Sequence, residues 1–137
     1  MDQDIPYTAR KTVLVVDDDA HVRDLVAQLL TDSNYHVLAA GNGTTGLQQS
    51  RDYKGDIHLL LSDFEMPGLS GVDLATTMTL ERPELRVLLT SGFTAGMIVL
   101  NEGWRFLAKP FAGAQLRALV AALLAPDRRQ QDDTARN

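Results

Sequence analysis

The chain has 137 residues, a net charge of −5, no cysteine and an ordinary share of apolar residues. That length supports one domain with a full core, and the missing cysteines exclude a disulfide framework, a thiolate metal site and a cysteine nucleophile. The acidic balance argues against nucleic acid as a direct partner. No apolar run reaches membrane-spanning length and MDQDIPYTAR lacks the layout of a signal peptide, so the expectation is a soluble cytoplasmic protein with no membrane contact.

Residues 1–10 are polar and aperiodic and read as a flexible tail. The β-branched run Thr12 to Val16 suits a strand buried on both faces, as in a parallel sheet. Asp17, Asp18 and Asp19 end it. Val22, Leu25, Val26, Leu29 and Leu30 then fall at helical spacing, with Asp19 as the candidate N-cap and residues 32–34 as the break. Residues 35–40 read as a second strand and 44–53 as a weaker helix. The third strand, 57–62, runs into Asp63 and the Pro67-Gly68 turn. Ser70 caps a predicted helix reaching about Glu81, and Pro83 stops it. A fourth strand spans 85–90, followed by Ser91-Gly92 and a short helix over 94–101. Residues 104–108, more mixed in character, predict a fifth strand at the sheet edge, closed by Lys109-Pro110. Leu116, Leu119, Val120, Leu123 and Leu124 form a final helix stripe before Pro126, and residues 126–137 read as a charged, disordered tail.

Strands and helices thus alternate, which calls for a single α/β domain over 11–125 with a parallel sheet and helices on both faces. In such a sheet every strand's carboxyl end lies on one edge, where ligands bind. Asp17 to Asp19, Asp63, Thr90, Ser91 and Lys109 all stand at those ends. Each has a plain reading by itself: acids favouring a helix N-terminus, a loop aspartate, a turn serine, a surface lysine. Together they make an all-oxygen acidic cluster with one cation. Carboxylates crowded at ~4 Å repel by roughly 4 kcal/mol per pair at an intermediate dielectric, so the cluster raises a pKa or binds a hard ion, most simply Mg²⁺. Magnesium favours phosphoryl oxygens as further ligands, and a carboxylate can accept a phosphoryl group. The first strand–helix turn has no glycine-rich nucleotide loop. His21, His36 and His58 show no metal-ligand spacing, and His58 reads as a hydrogen-bonded strand residue.

The pieces VLVVDDD, LLLSDFEMPGLSG, VLLTSG and FLAKPF resemble the receiver domain of two-component response regulators over about residues 11–125. The wording is nearest to receivers of hybrid kinases and free-standing ones. The resemblance implies a flavodoxin-like five-stranded sheet of order 2-1-3-4-5. It also implies that Asp17 and Asp18 hold Mg²⁺, that Asp63 is the phosphoacceptor and a metal ligand, and that Glu65 lends the metal its backbone carbonyl. Ser91 then matches the switch hydroxyl, Lys109 the phosphate-contacting lysine and Phe106 the aromatic switch, with a cis Lys109-Pro110 bond. The implied partners are a sensor histidine kinase or histidine phosphotransfer protein, a downstream protein, and a homodimer formed on phosphorylation as a further option.

Three departures from the family pattern stand out. Phe106 has no hydroxyl, so its switch works by packing. The segment from Ser91 to Lys109 is short and carries Gly92, Gly96 and Gly103, so the helix within it is expected to be short or mobile. Glu65 and Phe93 flank the site where family members tune hydrolysis. The reading is a stand-alone receiver that is not an enzyme beyond its own phosphorylation and dephosphorylation. The alternatives are a receiver cut from a hybrid histidine kinase, a small haloacid-dehalogenase-type phosphatase with Asp17 as nucleophile, and an adaptor that binds without being phosphorylated.

Overall fold

The computed structural model describes residues 10–92 and 103–125. Five strands and four helices follow in order: β1 (Thr12–Val16), α1 (Ala20–Asp32), β2 (His36–Ala40), α2 (Gly43–Asp52), β3 (Leu59–Asp63), α3 (Gly71–Glu81), β4 (Arg86–Ser91), β5 (Trp104–Ala108) and α4 (Gly113–Leu124). All neighbouring strands pair in parallel, in the order β2-β1-β3-β4-β5. This is the flavodoxin-like order, with β5 at an edge. The helix expected over 94–101, and Phe93, lie outside the described residues.

The continuous apolar runs are explained by two cores, one on each face of the sheet. Successive side chains on a strand point to opposite faces. Leu14 and Val16 of β1, Leu60 of β3, and Val87 and Leu89 of β4 therefore join Leu74, Ala75 and Met78 of α3. Val13, Val15, Leu59, Leu61 and Leu88 join Val26 and Leu30 of α1 and Leu116 and Val120 of α4. A strand covered on both faces has no position to spare for a polar residue until it leaves the sheet. That is why the polar residues crowd its ends.

Caps fall where short polar residues stand. The Asp19 carboxylate accepts from the N–H groups of His21 and Val22, Asn42 from that of Thr45, and the Ser70 hydroxyl from that of Asp73. The last turn of α2 is closed from a distance. Arg82 donates to Ser50 Oγ, Ser50 O, Tyr53 O and Gly55 O at 2.8–3.1 Å.

Two expectations need correction. Leu25 was expected in the buried stripe of α1, yet it is 66% exposed. The buried arc is set by Val26 and Leu30, and Leu25 falls on its outer flank. The third strand begins at Leu59 rather than Ile57, because His58 uses its side chain where a ladder bond would form. His58 Nδ1 accepts the Thr12 N–H at 2.9 Å, so His58 is hydrogen-bonded as expected, but just ahead of the strand.

Candidate functional site

The sheet reverses direction of growth between β1 and β3, since β2 lies on one side of β1 and β3 to β5 on the other. Helices α1 and α3 leave toward opposite faces there and open a crevice at the carboxyl ends. Asp17 follows β1 directly and Asp63 is the last residue of β3. Register places them side by side, because Val16 pairs with Ser62. Ligand oxygens of Asp17, Asp18 and Asp63 all lie within 4.8 Å of one another. Asp17 is buried, Asp63 half-buried and Asp18 exposed. Asp19 is not part of this group; its carboxylate is spent on capping α1.

Lys109 enters from the end of β5. Its Nζ stands 3.0 Å from Asp17 Oδ2 and 3.6 Å from Asp63 Oδ1. The Lys109 N–H donates to the Ser91 carbonyl at 2.7 Å, and the following Lys109-Pro110 bond is cis. Ser91 is itself buried at the end of β4, one residue beyond the Thr90 that pairs with Asp63. Phe106 is half-buried against the core on the α2–α3 side. Glu65 lies two residues past Asp63 and is exposed. The structure thus gathers Asp17, Asp18, Asp63 and Lys109 directly. Ser91 adjoins them through the backbone.

Electrostatics follow from this crowding. Burial raises the Asp63 pKa, the Lys109 charge pulls it back, and Asp17 and Asp18 push it up again. For Lys109, burial works against the charged form, but its hydrogen bond to Asp17 and the charges of both acids outweigh that and leave its pKa raised. The three acids fit a hard divalent ion. Around an octahedral Mg²⁺ neighbouring oxygens stand about 3 Å apart and opposite ones about 4.2 Å, so carboxylate oxygens within 4.8 Å of one another would draw closer to share one ion. Oxygen-only ligands select Mg²⁺ over softer metals.

Two further residues shape the site without any obvious signal in the sequence. Gly71, the first residue of α3, donates its N–H to Phe64 O at 3.0 Å. A Cβ on Gly71 would fall onto the Asp63 carbonyl oxygen, so only glycine lets α3 start so close to the acid. Arg23, in the first turns of α1, donates from Nη1 to the Asp17 carbonyl at 2.8 Å. A concavity of about 870 Å³ lies at the other end of the strands beside Lys11, His58, Arg82 and Leu123. It shares no residue with the acidic cluster.

Comparison with known proteins agrees with this geometry. Residues 13–121 match the family model for the response regulator receiver domain. The response regulator receiver protein CpdR of Brucella abortus (strain 2308) is 31% identical over 116 residues, which cover 80% of this chain and 91% of CpdR. The solved receiver domain of the hybrid histidine kinase CckA is 32% identical with a TM-score of 0.73, covering 82% of this chain and 98% of that one. The response regulator TrrA of Thermotoga maritima, solved in complex with Mg²⁺–BeF, is 28% identical with a TM-score of 0.74, covering 83% and 99%. The chain also matches longer curated relatives at 30% identity and spans only 55% of their length. Receiver domains are phosphoacceptor modules of two-component phosphorelays, phosphorylated by histidine kinases, and an acidic triad of this kind is typical of their Mg²⁺ sites. The chain belongs to the response regulator receiver domain family.

Proposed function

We propose that Asp63 accepts a phosphoryl group from a phosphohistidine presented by a sensor histidine kinase or a histidine phosphotransfer protein. A carboxylate oxygen of Asp63 attacks phosphorus, the P–N bond breaks, and the leaving imidazole takes up a proton. The observation that carries this reading is the cluster itself: three acids within 4.8 Å of one another, with Lys109 against two of them. Mg²⁺ held by Asp17, Asp18, Asp63 and the Glu65 carbonyl would offset the charge on the phosphoryl oxygens. Lys109 already lies between Asp17 and Asp63, so a short swing brings Nζ from Asp17 to a phosphoryl oxygen. Ser91, tied to Lys109 by backbone, turns its hydroxyl to another oxygen. Phe106 then repacks inward, by packing alone.

The signal is a shift between two pre-existing conformations. It is read as altered binding to a downstream protein or a second copy of the chain, or as onward transfer of the phosphoryl group. CpdR, nearly all of which this chain covers, supports a receiver acting without an output domain. The phosphatase alternative needs Asp19 as a free acid, and its role as the cap of α1 argues against it. The test is labelling by a small phosphodonor with Mg²⁺. The wild type takes up acid-labile phosphate and Asp63→Asn takes up none; full labelling of the variant overturns the assignment.

A further inference from the structure

We propose that Arg23 is a positioning residue for the acidic pair, a role that presupposes the divalent-cation site assigned above. Asp17 is the most enclosed acid of the cluster, and each of its polar atoms meets a different part of the fold. Its N–H donates to Ala40 O at 3.2 Å, its Oδ1 accepts the Asp19 N–H at 2.9 Å, and its Oδ2 accepts from Lys109 Nζ at 3.0 Å. The carbonyl oxygen is closed by Arg23 Nη1 at 2.8 Å. That carbonyl belongs to the planar peptide that also carries the Asp18 nitrogen. A rotation of this plane therefore moves both acids at once, and the guanidinium is the side chain that stops it. Gly41, just after β2, leaves the space this requires. A Cβ there would come within 3.1 Å of Nη1, tighter than ordinary contact. Arg23 thus acts on the site through backbone, from a helix that supplies no ligand.

A second role for the same side chain predicts the opposite sign. If Arg23 acted only as a positive charge beside the acids, its removal would tighten the binding of a cation. If it holds the Asp17–Asp18 peptide, its removal loosens binding, as loss of outer partners does at metal sites. Calorimetric titration of the full chain with Mg²⁺ separates the two, with urea unfolding in EDTA as the measure of stability. Arg23→Met is expected to weaken Mg²⁺ binding about tenfold. Gly41→Ala, which keeps the charge and crowds the guanidinium, is expected to weaken it in the same direction. Unchanged or tighter binding by Arg23→Met overturns the proposal, even if stability falls. Should that variant not fold, wild-type affinity in Gly41→Ala overturns it instead. A wild type that takes up no Mg²⁺ sinks the site assignment itself, which distinguishes the two failures.

Discussion

Replacing Lys109 with methionine removes the cation that stands between two enclosed acids. The attraction of Nζ to Asp17 at 3.0 Å and to Asp63 at 3.6 Å amounts to ~5.5 and ~4.6 kcal/mol at an effective dielectric of 20. Desolvation of the three groups offsets most of that in the wild type. The variant loses the attraction but keeps both acids in place. Their mutual repulsion across at most 4.8 Å, at least ~3.5 kcal/mol on the same scale, is then unopposed. Breaking a buried pair from one side costs on the order of 3–5 kcal/mol. The Lys109 side chain is 22% exposed, which places the loss near the lower end, about 3 kcal/mol. Protonation limits it further, because Asp63 already has a raised pKa and rises again without Lys109. The assay is urea unfolding in EDTA and in excess Mg²⁺. An ion at a hundred times its Kd adds about 2.7 kcal/mol to the wild type, and more to the variant, which no longer opposes it with a lysine. The gap between the two proteins should therefore be wide in EDTA and narrow in Mg²⁺. Equal stability in EDTA, or a gap that widens with Mg²⁺, refutes this charge balance.

Three other perturbations follow from named contacts. Arg82→Ala removes four hydrogen bonds from the end of α2 and should cost about 2 kcal/mol in urea unfolding, while phosphate labelling stays at the wild-type level. Gly71→Ala drives a methyl onto the Asp63 carbonyl, so it should lower both stability and labelling, whereas a labelling rate equal to wild type would show that the backbone of Asp63 does not set its reactivity. His58 gives a pH dependence. Burial, then the Lys11 charge, lowers its pKa against the pull of Asp56, and Nδ1 needs its lone pair for the Thr12 N–H. The unfolded chain thus takes up this proton first, so the contribution is full above about pH 6.5 and is lost as pH falls through that value toward the folded pKa. His58→Gln should flatten the fall in stability between about pH 7.5 and about pH 5.5; an unchanged slope would remove His58 as its source.

The sheet was legible because burial on both faces fills the middle of the central strands β1, β3 and β4 with apolar residues. Residues 104–108 are the mixed run, and β5 is indeed at the edge. The acids and Lys109 were legible for the complementary reason: polar groups that cannot enter the sheet collect at its rim. Asp19, Asn42 and Ser70 act locally, and caps of this kind show in the sequence. The boundary of β3 was hidden, because a histidine side chain there replaces a backbone partner 46 positions away. Arg23, Arg82 and Gly71 were hidden for a similar reason. Each serves a backbone oxygen or a steric gap in another loop, and nothing in the spacing of side chains records where a carbonyl points. The N-terminus of α4 had no signal either. Ala112 offers no capping side chain, and the Ala112 N–H donates instead to Gln115 Oε1 at 3.4 Å.

The most direct test of the site is to find which residue carries the phosphoryl group. The full chain is incubated with a small phosphodonor and Mg²⁺, treated with borohydride, which reduces an aspartyl phosphate to homoserine and releases phosphate, and mapped by peptide mass spectrometry. The reading predicts one modified position, Asp63, and none when EDTA replaces Mg²⁺. Modification at Asp17, or an unmodified chain that turns over a phosphate monoester, contradicts it.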